Sequence, residues 1–208
     1  MSLERNIAEG ARTMGLRLDA SAPPRLARYL ELLEKWNRVH NLTAVRDTTQ
    51  MVVLHVLDSL SILPHVEGCA RILDVGTGPG LPGIPLAIAM PQARVTLLDS
   101  SHKKCAFLEQ VRIDLALDNI DVVCERIEQW KPAQAFDAVV SRAFSDLSDF
   151  VMQAQHAVAP GGRMIAMKGV YPFEELARVP PSHRVAEVRE LRVPSLDAKR
   201  HVVVVEAA

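Results

Sequence analysis

A glycine-rich loop follows a short apolar run in this sequence, where residues 72–86 read ILDVGTGPGLPGIPL. Its last three glycines match the G-x-G-x-x-G pattern with which dinucleotide-binding folds present backbone N–H groups to a pyrophosphate. Pro79 and Pro82 have no N–H group, so this loop offers fewer donors to a phosphate than that pattern provides. The loop therefore favours a ligand without phosphates.

An acidic residue stands at the end of each of the first two predicted strands. Asp74 precedes the loop, and Asp99 ends the run RVTLLD, 23 residues after Gly76. A carboxylate at the position of Asp99, the end of the second strand, can accept hydrogen bonds from both hydroxyls of a ribose. A carboxylate at the position of Asp74, the end of the first strand, lies within reach of an amino group. S-adenosylmethionine has a ribose, an amino group and a cationic sulfonium but no phosphate, so we predict it as the cofactor. The alternative role for Asp99 is to cap the next helix.

The third and fourth predicted strands end at the same edge of the sheet. Ile127 and Glu128 follow IDVVCE, where an adenine ring is read in such folds, and Arg142 follows FDAVVS. After the fourth strand, methyltransferases that act on exocyclic amines have a polar-Pro-Pro-aromatic tetrad, and enzymes that act on pyrimidine C5 use a cysteine. This sequence has neither.

That absence fits an acceptor such as guanine N7, which has a free lone pair and no proton to remove. Its methylation needs alignment and no general base. We interpret Arg142 as the catalytic residue that orients this base by donating to O6, with a surface salt bridge as the alternative.

The elements that position these residues follow from periodicity. Apolar residues at steps of three and four predict a helix over residues 23–40, and Asp47 begins a second helix that Pro64 stops near Leu63. After Gly68, six β-branched runs alternate with helical patterns. We therefore predict a doubly wound α/β sheet, with the last strand antiparallel to its neighbours.

Charge and cysteine content narrow the functional classes. Residues 1–46 carry 8 basic and 5 acidic side chains, residues 47–159 carry 8 and 14, and residues 160–208 carry 8 and 6. A polyanion is thus expected to contact the two ends of the chain. Three widely spaced cysteines indicate neither disulfides nor a zinc site, and no cluster has metal-ligand spacing. With no apolar leader or membrane span, we expect a cytoplasmic protein.

Seven motifs, in order along nearly the whole chain, resemble the bacterial small-subunit rRNA guanine-N7 methyltransferases, the glucose-inhibited division protein B family. They are WNRVHNLTAVRD, HVLDSL, DVGTGPGLPGIPL, LLDSSHKK, SRAF, MKG and VPSLDAKRHVVV. The resemblance implies a class I S-adenosylmethionine-dependent methyltransferase with an N-terminal helical extension. We place this extension at residues 1–66 and the methyltransferase domain at residues 67–208, in one compact unit. The implied reaction is methylation of guanine 527 in 16S rRNA.

The resemblance also implies roles for individual residues. The implied cofactor contacts are Gly76, Leu81, Ile127, Glu128 and Arg142. Gly78 and Asp99 complete the predicted set, because they lie in the glycine-rich loop and at the end of the second strand. The implied substrate contacts are Asn41, Arg46, Lys103, Lys168, Arg200 and His201. Alternatives are a helix-ending role for Asn41, solvated strand-end charges for Lys168 and Arg200, and structural roles for His201 and for His55, the latter with Asp58 near it.

Two other functions stay open from the sequence. The chain could be a ribosome-assembly factor that keeps the cofactor fold and binds RNA without turnover, or a nicotinamide-dependent dehydrogenase that uses Gly78, Gly80 and Gly83. The favoured partner is 16S rRNA in the small ribosomal subunit or an assembly intermediate, with the protein as a monomer and no membrane contact.

Overall fold

A seven-stranded sheet forms the centre of the protein, whose computed structural model describes residues 2–208. The strand order is β3-β2-β1-β4-β5-β7-β6. The strands are β1 (Arg71–Val75), β2 (Arg94–Leu98), β3 (Ile120–Val123), β4 (Phe136–Ser141), β5 (Val158–Lys168), β6 (His183–Leu191) and β7 (Arg200–Ala207). β1 to β5 pair in parallel, and β7 pairs antiparallel with both β5 and β6. The predicted doubly wound sheet with an antiparallel last strand is confirmed.

Helices cover the sheet and form the first third of the chain. They are α1 (Leu3–Thr13), α2 (Ala22–His40), α3 (Thr48–Met51), a π-helical turn (Val52–Leu57), α4 (Asp58–Leu60), α5 (Leu63–Val66), α6 (Gly83–Ala89), α7 (His102–Asp114), α8 (Leu147–Ala154), a 3₁₀ turn (Gln155–Ala157) and α9 (Phe173–Leu176). No helix within residues 2–208 has the length and apolar character to cross a membrane.

The second predicted helix is present, but its end differs from the prediction. α3, the π-helical turn and α4 run without a break from Thr48 to Leu60, and Asp47 caps the first turn by accepting from the N–H of Thr49. Pro64 does not stop this helix. It lies in the first turn of α5, where its missing N–H group has no intrahelical acceptor to lose.

The prediction of six strands was wrong by one, because β6 was missed. This strand, HRVAEVREL, lies at the edge of the sheet and carries four charged side chains among its nine residues. Charged residues are expected on an edge strand, since they oppose pairing with another chain. They also hide the apolar alternation that identifies a strand in a sequence.

The helical first third packs directly on the sheet domain. One cluster of buried apolar residues includes Ile7, Leu30 and Val56 from the first third and Ile72 and Val204 from the sheet. Tyr29 of α2 is fully buried and donates its hydroxyl to the carbonyl of Pro79 in the glycine-rich loop, at 2.8 Å. The carboxyl ends of β1 to β5 therefore face a surface to which both parts of the chain contribute.

Candidate cofactor and substrate site

A pocket of about 280 Å³ opens at the carboxyl ends of the first four parallel strands. Ligands of open α/β sheets bind at this edge. The lining residues come from four strand ends and from α7 and α8: Val75, Gly76, Leu98, Asp99, Ser100, Lys104, Glu125, Arg126, Ile127, Glu128, Ala143, Phe144 and Gln153. Four of the predicted cofactor residues, Gly76, Asp99, Ile127 and Glu128, thus line one pocket.

Asp99 is held in place by three hydrogen bonds. Its Oδ2 accepts from the N–H of Gly78 at 2.9 Å and from the Lys104 ammonium at 3.1 Å, and its Oδ1 accepts from the N–H of Ser101 at 2.9 Å. The alternative role of helix cap is not observed, because the N-cap residue of α7 is Ser101 and no side chain caps the first turn of this helix. A carboxylate has about four lone-pair positions, so a diol can use this group fully only where Lys104 gives up its contact.

The glycine-rich loop has no backbone donor left for a pyrophosphate. In residues 76–84 each N–H group already donates to an acceptor of the protein, and the two prolines have none. Gly76 has a φ of +68°, and a Cβ built on it would stand 2.7 Å from the Cβ of Ala143 on the opposite wall. The loop therefore brings bare backbone close to the ligand without binding phosphate.

Asp74 does not line the pocket, so the structure does not support the amino-group contact considered for it. Its Oδ2 accepts from the hydroxyl of Thr77 at 2.6 Å and from the N–H of Gly83 at 2.7 Å, and the residue is fully buried. Burial raises the pKa of Asp74 to about 7, against the lowering effect of these two donors. This carboxyl group ties the loop to the start of α6.

Gly78 and Leu81, two further predicted cofactor residues, lie behind the pocket wall. Gly78 acts through the N–H group that it donates to Asp99. Leu81 is 2% exposed and belongs to the apolar core, so it does not line the pocket. The prediction took three residues of the loop, Gly76, Gly78 and Leu81, as contacts, whereas only Gly76 of these three lines the pocket.

A buried carboxylate joins two of the predicted arginines. Asp58 of α4 accepts from Arg142 Nη1 at 3.2 Å through Oδ2 and from Arg200 Nε at 2.9 Å through Oδ1. Arg142 Nη1 also donates to the carbonyl of Leu54, within the π-helical turn, at 3.1 Å. The surface salt bridge considered for Arg142 is therefore a buried one, because the side chain of Asp58 is only 2% exposed.

Arg142 stands beside the pocket and does not line it. Its neighbours Ala143 and Phe144 form the wall, while its guanidinium lies on the side of the helical first third. Both of its hydrogen bonds use Nη1, so within residues 2–208 its Nε and Nη2 are left to donate to another molecule. The two arginines and the pocket therefore share one edge of the sheet.

His55 is a buried structural residue, as the sequence alternative held. Its Nε2 contacts the hydroxyl of Thr43 at 2.9 Å, so its direct partner is Thr43 and not Asp58. Burial lowers the pKa of His55 to about 4, and the nearby Arg142 acts in the same direction. The imidazole is thus neutral near pH 7 and adds no charge beside Arg142.

Three predicted substrate residues gather at the end of α2. Asn41 ends this helix in the left-handed conformation, with φ of 49°, as its alternative role required. Its side chain accepts from Arg46 Nη2 at 2.8 Å, and Lys103 of α7 donates to the carbonyl of His40 at 3.1 Å. Exposed polar groups from α2, the following loop and α7 therefore form one surface.

Lys168 is buried, so its alternative role as a solvated charge is wrong. It is 8% exposed, and its ammonium contacts the carbonyls of Phe144 and Ser145 at 3.1 Å each and Glu175 Oε2 at 2.7 Å. It holds the loop after β4 against the start of α9. His201, its partner in the β5–β7 register, contacts the carbonyl of Gly169 through Nδ1 at 3.0 Å.

A family model described as GidB, rRNA small subunit methyltransferase G, matches residues 23–203. The chain belongs to this family. The ribosomal RNA small subunit methyltransferase G of Nitrosospira multiformis is 53% identical to it over 97% of this chain and 96% of that protein. The protein of the same name from Laribacter hongkongensis is 54% identical over 98% of both chains.

Solved structures show the same fold at low identity. A SAM dependent methyltransferase from Aquifex aeolicus superposes with a TM-score of 0.60 at 17% identity, covering 76% of this chain and 93% of that one. TrmN from Thermus thermophilus superposes with a TM-score of 0.58 at 18% identity, covering 72% and 48%. The predicted family, fold class and enzyme class are confirmed, and the family is a methyltransferase family rather than one of dehydrogenases.

Lys104 and Asp58 are among the polar residues of this methyltransferase site that were missed from the sequence. Lys104 lines the pocket and pairs with Asp99, although Lys103 was the residue predicted. Asp58 was considered only as a neighbour of His55, yet it holds two arginines that are 84 and 142 residues away in the chain. The run HVLDSL carried a signal for Asp58, since a carboxylate inside an apolar helix must find partners when it is buried.

Proposed function

We propose that this protein transfers a methyl group from S-adenosylmethionine to N7 of a guanine in 16S rRNA, at the position that the family resemblance implies. The observation that carries the proposal is the pocket at the strand ends, where Asp99 faces the ligand space and the loop has no free donor for phosphate. The names of the relatives give ribosomal RNA of the small subunit as the substrate class. We also propose that the protein works as a monomer in the cytoplasm, on the subunit or an assembly intermediate.

The residues of the pocket divide the binding of the cofactor among them. Asp99 accepts from the ribose hydroxyls, Ile127 covers one face of the adenine, and Glu128 lies at its edge. Gly76 lets the backbone approach, because a side chain there would meet Ala143. The bound cofactor supplies an electrophilic methyl group on a cationic sulfonium.

Arg142 and Arg200 orient the base. Arg142 donates from Nε or Nη2 to guanine O6 and leaves N7 free, since a donor on N7 would occupy the attacking lone pair. Asp58 fixes both guanidinium groups by bonding one to each of its oxygens. No proton leaves the base in this reaction, so alignment is the main contribution of these residues.

The remaining predicted substrate residues contact or support the RNA. Asn41, Arg46 and Lys103 form the exposed surface at the end of α2, where we place phosphate contacts. Lys168 and His201 have their side-chain nitrogens on carbonyl groups of neighbouring loops, so we assign them to shaping those loops.

The experiment uses small ribosomal subunits from cells that lack this protein, incubated with methyl-labelled S-adenosylmethionine. We expect one labelled N7-methylguanine, mapped by cleavage of the RNA at that base. Arg142→Ala is expected to lose methylation at least about 100-fold while it keeps its fold and its cofactor affinity. Cofactor binding without any transfer by the wild-type protein would contradict the proposal.

A further inference from the structure

An exposed pair of aromatic rings stands next to the substrate residues, on the loop that follows β5. Phe173 and Val170 are each 75% exposed, and Tyr171 is 38% exposed. The ring centroids of Tyr171 and Phe173 are 4.3 Å apart, with a 42° angle between their planes. We call residues 169–173, which join β5 to α9 and include the first residue of α9, the aromatic loop.

The aromatic loop is fixed at its base and is open to solvent at its tip. His201 contacts the carbonyl of Gly169 through Nδ1, and its ring meets Tyr171 edge-on with 5.6 Å between centroids. The other exposed large apolar residues of the described chain include Ile113 and Met152, which are single aliphatic side chains on helices. Paired exposed rings on an anchored loop are costly to leave in water, so they indicate a binding surface.

The loop adjoins the site of methyl transfer. It starts directly after the carboxyl end of β5, one strand away from Ala143 and Phe144 of the pocket wall. The buried Lys168 joins the two places, because it precedes the loop and contacts the carbonyl of Phe144. The aromatic loop and the pocket therefore lie on neighbouring strands at the same edge of the sheet.

The charges around the rings favour a polyanion. Arg200, adjacent to His201, reaches Asp58, and the exposed Lys199 beside it makes no ion pair within residues 2–208. Of the two acidic residues that follow Phe173, Glu175 is already paired with Lys168, and Glu174 is exposed. Rings that stack on bases next to cations that contact phosphates are the usual arrangement for single-stranded nucleic acid.

We propose that the aromatic loop is a stacking platform for an unpaired base that neighbours the target guanine in the RNA. This inference rests on the proposed function and adds the contact by which that site selects unpaired RNA. Stacking tolerates any base, so the platform contributes to affinity and to the choice of single strands, and it does not read sequence.

The test compares three variants on subunits that lack the methyl group. Stacking on one ring contributes about 1–3 kcal/mol, so Tyr171→Ala together with Phe173→Ala is expected to raise KM for the subunit about 5-fold to 150-fold, while kcat and the affinity for S-adenosylmethionine stay unchanged. Ile113→Ala removes an apolar side chain that is 67% exposed on α7 and is expected to leave KM unchanged. Phe173→Trp keeps a ring, so it is expected to retain KM and to show fluorescence quenching when RNA is added.

Several outcomes would overturn the platform. They are an unchanged KM in the double variant, no quenching of Phe173→Trp, or a wild-type dimer that the double variant dissociates in sedimentation. If the wild-type protein transfers no methyl group, the proposed function fails. In that case the stacking platform is tested separately, by comparing the affinity of the wild-type protein and of the double variant for a short unpaired RNA oligonucleotide. Equal affinities would contradict the platform.

Discussion

Replacement of Asp58 by asparagine tests whether a buried carboxylate organises the substrate side of this enzyme. The change keeps the shape of the side chain and removes its negative charge from between Arg142 and Arg200. Loss of one partner from a buried ion pair costs roughly 3–5 kcal/mol. We expect the lower end, about 3 kcal/mol in the free energy of unfolding, because solvent screens the arginine side chains, which are 28% and 23% exposed.

The effect on activity is expected to exceed the effect on the fold. Without the carboxylate the two guanidinium groups repel each other, and the single amide oxygen of asparagine replaces only one of the two acceptors that Arg142 and Arg200 use. A displacement of about 1 Å in an aligned site costs about 100-fold in rate. We therefore expect kcat for subunit methylation to fall about 100-fold, with unchanged affinity for S-adenosylmethionine, because Asp58 does not line the pocket.

The assay pairs denaturant unfolding with methyl-transfer kinetics and cofactor calorimetry at a temperature where the variant is folded. Asp121→Asn is the matched control, because Asp121 accepts from Arg94 through both oxygens at 2.6 Å on the exposed surface. This control is expected to lose no more than about 1 kcal/mol of unfolding free energy and to keep full methyl-transfer activity. Wild-type kcat in a folded Asp58→Asn protein would refute the positioning role, and equal destabilisation by both variants would refute the burial argument.

Three further predictions concern the cofactor loop. Gly76→Ala is expected to lower cofactor affinity, because its Cβ would meet Ala143. Gly161→Ala is the control: Gly161 has a similar positive φ but open space around it, so this variant should lose about 1–2 kcal/mol of stability and bind the cofactor normally. Equal cofactor affinities of the two variants in calorimetry would contradict this prediction. Lys104→Met is expected to raise cofactor affinity up to about 5-fold, since it frees Asp99; weaker binding would show that Lys104 is itself a contact. The pKa of Asp74 is raised from 3.8 to about 7, so the stability that this carboxyl group gives to the fold is complete below pH 3.8 and is lost as the pH rises to about 7. The unfolding free energy of Asp74→Asn should not show this decline between pH 3.8 and pH 7. The same decline in the variant and in the wild-type protein would contradict the prediction.

The sequence predicted the parts of the site that depend on strand ends. Asp99, Ile127 and Glu128 each follow a β-branched run, and parallel pairing brings the ends of such runs to one edge. The missing N–H groups of two prolines predicted the rejection of phosphate, and the structure extends this to the whole loop. These features are local in the chain, so periodicity and residue type are sufficient to find them.

Contacts between distant segments could not be predicted in the same way. Asp58 and Arg200 are 142 residues apart, and nothing in either local pattern specifies the other. Lys168 ends an apolar strand as a solvated lysine would, yet three acceptors from two other segments bury its ammonium. The position of a long charged side chain depends on which acceptors the fold brings near it, which a local pattern does not contain.

These distant contacts bear on the proposed boundary at residue 66. Tyr29 supports the glycine-rich loop, Asp58 holds both arginines, and Lys103 caps the end of α2, so the helical first third contributes to each side of the site. Because their apolar cores are also continuous, the separated sheet domain would expose that core and leave Arg142 without its buried partner. We therefore propose that both regions fold as one cooperative unit, in which the helical part is required to align the base and is not an appended RNA-binding module.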